Sequence, residues 1–124
     1  VVEGRQLVVK PYDRSILKEI DHAIGAANLG LVPQNDGDVI RINVPALTED
    51  RRKELAKDAH KFGEEAKVAV RNNRREGIDM VKKNKELTED MKKDAQEKIQ
   101  KMTDDHVKKI DTMVKEKSDE IMSV

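Results

Sequence analysis

Lys67-Val68-Ala69-Val70-Arg71-Asn72-Asn73-Arg74-Arg75 is the stretch on which the reading of this chain turns. At about 100° per residue, Lys67, Arg71, Arg74 and Arg75 share one side of a helical cylinder with Lys82 and Lys85, centred on Arg71. Leu55, Ala59, Phe62, Ala66, Ala69 and Met80 fall on the far side. A helix with an apolar stripe and a dense cationic stripe suits a rigid rod that packs on other helices and lies along a polyanion. Asn73 falls among the apolar positions and is expected as a buried amide that fixes helix register.

The helical signal extends in both directions from this stretch. Thr48 is a good N-cap, and Glu49 and Asp50 favour the positive end of the helix dipole. Positions 55, 59, 62, 66, 69, 73, 77 and 80 then step by fours and threes in near-heptad fashion, which predicts a supercoiled packing partner. The run of about 35 residues breaks at Asn84-Lys85-Glu86-Leu87. Thr88 caps a second helix with Glu89 and Asp90 behind it. Its expected core side is Met91, Ala95, Ile99, Met102, His106, Ile110, Met113 and Ile121, with the methionines as core filling and His106 as an interior histidine. Two long helices with a short connection make an antiparallel hairpin. Both apolar stripes are wider than one neighbour can cover, so a third helix is the natural completion of the core.

Residues 1–46 read differently. Gln6 to Lys10 is a short strand closed by Pro11, and Asp13 caps a helix to about Asn28 whose apolar positions are Ile16, Leu17, Ile20, Ala23, Ile24 and Ala27. Gly30 is placed as the glycine after the helix C-cap. Pro33 to Asp38 is rich in turn formers, and Val39, Ile40, Ile42 and Val44 form a second strand ending at Pro45. The fold class is therefore α+β. A small β/α/β domain occupies 1–46, and a long helical hairpin, two helices of a three-helix bundle, occupies 47–124. Val1-Val2-Glu3 reads as the middle of a strand without an initiator methionine, so the domain is expected to be incomplete at its N-terminus.

Composition narrows the function. Charged residues make up 40% of the 124, and 25 basic side chains balance 25 acidic ones. The balance is uneven along the chain: 48–85 carries twelve basic and eight acidic groups, a local +4, while 1–47 is −1 and 86–124 is −3. There is no cysteine, which excludes disulfides and thiolate metal sites and fits the cytoplasm. No apolar run approaches the roughly 20 residues needed to cross a membrane. With Tyr12 and Phe62 the only aromatics, single-stranded RNA recognition by base stacking is disfavoured. His22, His60 and His106 lack metal-ligand spacing. No glycine-rich phosphate loop is present, and no carboxylate stands isolated among apolar residues. Neither metal, cofactor nor enzymatic catalysis is expected.

Several blocks together resemble the ribosome recycling factor family. They are Leu47-Thr48-Glu49-Asp50-Arg51-Arg52-Lys53-Glu54-Leu55, then Gly63-Glu64-Glu65-Ala66-Lys67-Val68-Ala69-Val70-Arg71-Asn72, then Arg74-Arg75. Asp13-Arg14-Ser15, Leu29-Gly30-Leu31 and Ile42 to Pro45 with Leu47 are also similar, and the blocks run in the family's order over essentially the whole chain. The resemblance implies an L-shaped protein, with a three-helix bundle joined by a hinge, here Pro45 and Ala46, to a small β/α/β domain. It implies a translation factor that binds the large ribosomal subunit and, with elongation factor G, splits post-termination ribosomes without covalent chemistry of its own. It also implies that the family's first long helix and opening strands precede Val1. Ribosomal RNA contact is then expected at Arg71 first, with Arg74, Arg75, Arg51, Arg52, Lys53 and Lys67 around it. Lys67 stands where many members have arginine, and Gly77 where alanine is common. The rival reading is a non-catalytic coiled-coil module whose exposed apolar stripe recruits a partner helix or a second copy of the chain.

Overall fold

Ile40-Arg41-Ile42-Asn43 alternates strictly, and in the computed structural model, which describes residues 4–123, the two isoleucines are buried while Arg41 and Asn43 face solvent. That strand is β3, Ile40–Asn43, and it is the centre of a three-stranded antiparallel sheet ordered β1-β3-β2, with β1 at Gln6–Val9 and β2 at Pro33–Asn35. In β1, Leu7 lies opposite Ile42 and Val9 opposite Ile40. Leu17, Ile40 and Ile42 form the core, with Val9, Ile20, Ile24 and Leu31 packed against it. Asp13 accepts from the Ser15 amide at 2.8 Å and opens a single 3-10 turn, Arg14–Ile16, that leads into α1, Leu17–Ala26. The bond from the Ser15 backbone amide holds the Asp13 carboxyl below the usual aspartate range.

Two details differ from the sequence reading. The turn-rich stretch at Pro33 begins with a strand: β2 lies at the sheet edge, where a proline at the first position takes no hydrogen bond from the ladder. The residue after the helix C-cap Ala27 is Asn28, in the left-handed region at φ 53°, ahead of Gly30 at φ 70°; an Asx side chain tolerates that conformation. The tight turn itself lies at 36–39, where Asp36 accepts from the amides of Asp38 and Val39 and pairs with Arg41 at 3.0 Å. The amides of Val39 and then Asp38 are the main reason its carboxyl sits low. The strand expected at Val1-Val2-Glu3 lies outside the described residues.

The chain separates into two compact units, Val1–Leu47 and Thr48–Val124; Pro45 and Ala46 are exposed, irregular chain ahead of Thr48. In the second unit α2, Glu49–Lys83, and α3, Glu89–Met122, pack as an antiparallel hairpin. Thr48 and Thr88 cap them, accepting from the amides of Arg51 and Met91 at 3.1 and 3.2 Å. No helix among the described residues is long and apolar enough to cross a membrane.

The seam between the helices is rotated from the expected one. On α2 the least exposed positions are 52, 56, 59, 63, 67, 70, 74, 78 and 81, and on α3 they are 92, 96, 99, 103, 107, 110, 114, 118 and 121. This is an eleven-residue repeat rather than a heptad. Of the positions expected in the core, Leu55, Ala59, Gly77, Ala95, Ile99, Ile110 and Ile121 are half-buried. Phe62, Ala66, Ala69, Asn73, Met80, Met91, Met102, His106 and Met113 are exposed, Phe62 by 65% and Met80 by 73%. The cause is backbone proximity. Gly63, the buried residue of α2, faces Val114 so closely that a Cβ would collide with the valine methyl. Ala56 and Ala59 continue that small-residue edge, and the larger Phe62 and Met80 are turned about a quarter turn away. Asn73 is thus an exposed amide, and His106 places Nδ1 2.7 Å from the Met102 carbonyl one turn earlier.

Gly77 is the counterpart without a steric reason. A Cβ there would meet Ile99 Cδ1 at 3.5 Å, ordinary contact. Gly77→Ala is therefore expected to stabilise the hairpin by about 0.5–1 kcal/mol through helix propensity, read as a higher urea midpoint by circular dichroism at unchanged slope.

Candidate nucleic-acid interface

The cationic segment 67–75 is divided by the seam. Lys67 and Arg74 lie on it, while Arg71 and Arg75 project to solvent one turn apart. Lys67, its side chain only 13% exposed, sets Nζ 2.8 Å from Asp111 Oδ1 across the seam and 2.7 Å from Glu64 Oε1 on its own helix. The hydrogen bond to Asp111, then that to Glu64, raises its pKa, so its charge is held at any physiological pH. These groups line a cleft of about 180 Å³ with His60, Gly63 and Val114. Arg74 donates from Nη1 to Gln100 Oε1 at 3.1 Å, and Gln100 passes the link to Asp104 at 2.9 Å. One donor of its fork is engaged; a guanidinium has four more.

The cations of the first turn are also engaged. Arg51 pairs with Glu54 at 2.9 Å and Lys53 with Glu49 at 3.2 Å, both on the helix surface, where such pairs contribute little to stability. Arg52 crosses to α3 and donates to the backbone carbonyls of Ile121 and Ser123. The expected interface residues therefore do not form one uniform patch. Lys67, Arg52 and one edge of Arg74 tie α2 to α3.

Arg71 and Arg75 differ from all of these. Both are exposed, and neither makes a hydrogen bond or ion pair with a described residue. Like charges at i and i+4 repel on a helix, and although Asp79 lies four residues beyond Arg75, neither guanidinium closes an ion pair with a described acid. Lys57 and Lys82 project from the same side of α2, also without a side-chain partner. The result is a row of free cations along one flank of α2, the complement of a phosphate backbone. The opposite flank of α2 exposes Phe62 and Met80, α3 exposes Met102 and Met113, and a shallow groove of about 310 Å³ is lined by Val70, Gly77, Ile99 and Thr103 among others. Among the described residues no group of three or more histidines and carboxylates is arranged to hold a metal ion.

The sequence grouped Lys67, Arg71, Arg74 and Arg75 on one face but could not separate the cations on the seam from those facing solvent. The separating signal was present as a three-four-seven spacing of small and β-branched residues, Ala56, Ala59, Gly63 and Val70, which marks the seam one position away from the more apolar stripe.

The sequence pattern of the family described as Ribosome recycling factor matches residues 1–122. A ribosome-recycling factor of Staphylococcus saprophyticus is 54% identical over 127 aligned positions, covering the whole chain and 69% of that relative. One from Geobacillus thermodenitrificans is 53% identical with the same coverage. Among solved structures, a solution structure of the ribosome recycling factor matches with a TM-score of 0.62 at 43% identity, covering 100% of this chain and 67% of that one. A second match, TM-score 0.52 at 44% identity over 96% of this chain and 66% of that one, comes from models of the T. thermophilus ribosome recycling factor and E. coli elongation factor G bound to the E. coli post-termination complex.

Proposed function

This chain belongs to the ribosome recycling factor family, and from that membership we propose that it binds the large ribosomal subunit through the free cations of α2. With elongation factor G it then splits post-termination ribosomes in the cytoplasm for another round of translation. The observation that carries the reading is Arg71 and Arg75, two exposed guanidiniums one turn apart that make no ion pair with a described residue. Phosphates of ribosomal RNA are the anions such a row fits, Arg71 at the centre and Arg75, Lys57 and Lys82 along it. Arg74 adds the donors not used on Gln100; Lys67, Arg51, Arg52 and Lys53 frame the row and hold its helix. The factor performs no covalent chemistry in this reading, and the GTPase supplies the free energy. Pro45 and Ala46 are the proposed hinge.

The test is ribosome splitting followed by light scattering. Post-termination ribosomes mixed with the protein, elongation factor G and GTP are expected to lose scattering intensity, and omission of the protein is expected to abolish the loss. Absence of binding to large subunits at low salt would overturn the reading and favour a helix-recruiting module. The exposure of Phe62, Met80, Met102 and Met113 supports that second reading.

A further inference from the structure

Thr48-Glu49-Asp50-Arg51-Arg52 and Thr88-Glu89-Asp90-Met91-Lys92 open the two long helices with one pattern, Thr-Glu-Asp-x-cation, forty residues apart. The correspondence continues down the hairpin. Every seam position of α2 from 52 to 81 recurs forty residues later in α3, from 92 to 121. Gly63 and Thr103, the buried residue of each helix, are one such pair. Because the helices are antiparallel, the arrangement approximates a two-fold axis through the middle of the hairpin, and the first turn of each helix lies beside the last turn of the other.

The two cations act alike at the two ends. Arg52 Nη1 donates to Ile121 O at 2.8 Å and to Ser123 O at 2.5 Å. Lys92 Nζ donates to Lys82 O at 3.2 Å, its side chain only 17% exposed and a second, longer contact made to Glu89 at 3.7 Å. The last carbonyls of a helix have no donor within the helix, and a cation beside them also meets the negative end of the dipole. Three further end carbonyls are met locally: Val81 by the Asn84 amide, Asp119 and Glu120 by that of Ser123. Each helix is thus closed at its C-terminus by its own chain and by one cation reaching from its neighbour.

We propose that Arg52 and Lys92 are a matched pair of positioning residues, two cation-to-carbonyl clasps that fix the axial register of α3 on α2. Val114 seated against Gly63 favours the observed register at one point, but the spacing of the seam does not fix it alone. Seam positions step by three or four residues, so sliding one helix by a turn, about 5.4 Å, again sets seam positions on seam positions. The clasps hold a backbone atom rather than a side chain, so they sense axial position directly and at both ends. Register in turn decides which cations of 67–75 meet acids of α3 and which stay free.

The chain has no cysteine, so Lys61→Cys and Lys108→Cys, at exposed sites of α2 and α3, provide two unique spin-label positions. With both labels in place, Arg52→Met combined with Lys92→Met is expected to broaden the interspin distance distribution by several ångströms, up to one helical turn. Arg52→Lys combined with Lys92→Arg is expected to restore it, which a purely steric role for the stems would not do. The single variants are expected to raise amide hydrogen exchange about tenfold at one end only: the last turn of α3 for Arg52→Met, the last turn of α2 for Lys92→Met. A wild-type distance distribution in the double methionine variant overturns the proposal. If that variant fails to fold, wild-type exchange at the clasped end in both single variants overturns it as well.

Discussion

Replacing Arg71 and Arg75 together by alanine is expected to weaken binding to the large ribosomal subunit about a hundredfold, with helicity unchanged. Both side chains are exposed and bonded to no described residue, so their removal leaves no buried group unpaired and relieves a like-charge repulsion. Folding should therefore be unaffected or slightly favoured. Binding is another matter, because each guanidinium that leaves a phosphate costs roughly a factor of ten, about 1.4 kcal/mol. The loss should also appear in the salt dependence. Each phosphate contact contributes about −0.9 to the slope of log affinity against log salt on duplex nucleic acid, so the double variant should be shallower by about 2. Filter binding or co-sedimentation across 50–200 mM salt measures both quantities. Unchanged affinity and slope would remove the α2 cations from the interface.

Gly63→Leu is expected to have the largest effect on folding, destabilising the helical hairpin by about 3 kcal/mol or more. Even an alanine Cβ at this site would collide with the Val114 methyl. Valine in a helix is confined largely to one χ1 rotamer, so Val114 cannot swing clear, and overpacking of this kind typically costs 1–3 kcal/mol. The glycine itself is unfavourable in a helix by about 1 kcal/mol, so Gly63→Ala gains propensity while losing fit and should be destabilising by less, about 1–2 kcal/mol. Val114→Ala should compensate. In the Gly63→Ala/Val114→Ala pair the two methyls no longer compete for one space, and a double-mutant cycle by urea denaturation should show a coupling of at least 1 kcal/mol. Additive effects would mean that the helices do not approach at this point. Gly77→Ala, expected to stabilise, is the matched control within the same helix.

How much could be read without coordinates varies element by element, and chain chemistry explains the variation. Thr48 and Thr88, each followed by two acids, located both helix starts because a cap is a local interaction. Asn84 to Leu87 located the turn for the same reason, and the alternation of Ile40 to Asn43 gave a strand with one buried face. Pro33 to Asn35 was missed as a strand because three polar or imino residues carry no strand pattern of their own, although the tight turn at 36–39 joins them directly to β3. The seam was misplaced by a fraction of a turn for a related reason. Hydropathy ranks Phe62, Met80, Met91, Met102 and Met113 above Ala56, Ala59 and Gly63, but two helices approach most closely where side chains are smallest.

The same distinction divides the proposed interface. From sequence alone came the family, the α+β class, the cationic segment and Arg71 as its centre, since these follow from residue identity and helical period. Which cations of that segment are free was decided by tertiary structure. Lys67 meets Asp111, Arg74 meets Gln100 and Arg52 meets the end of α3, and each partner lies between 26 and 71 residues away in the chain. A charge is available to RNA only if no acid or carbonyl already holds it. That depends on the phase of one helix against another, which the spacing of residues along a single helix does not specify.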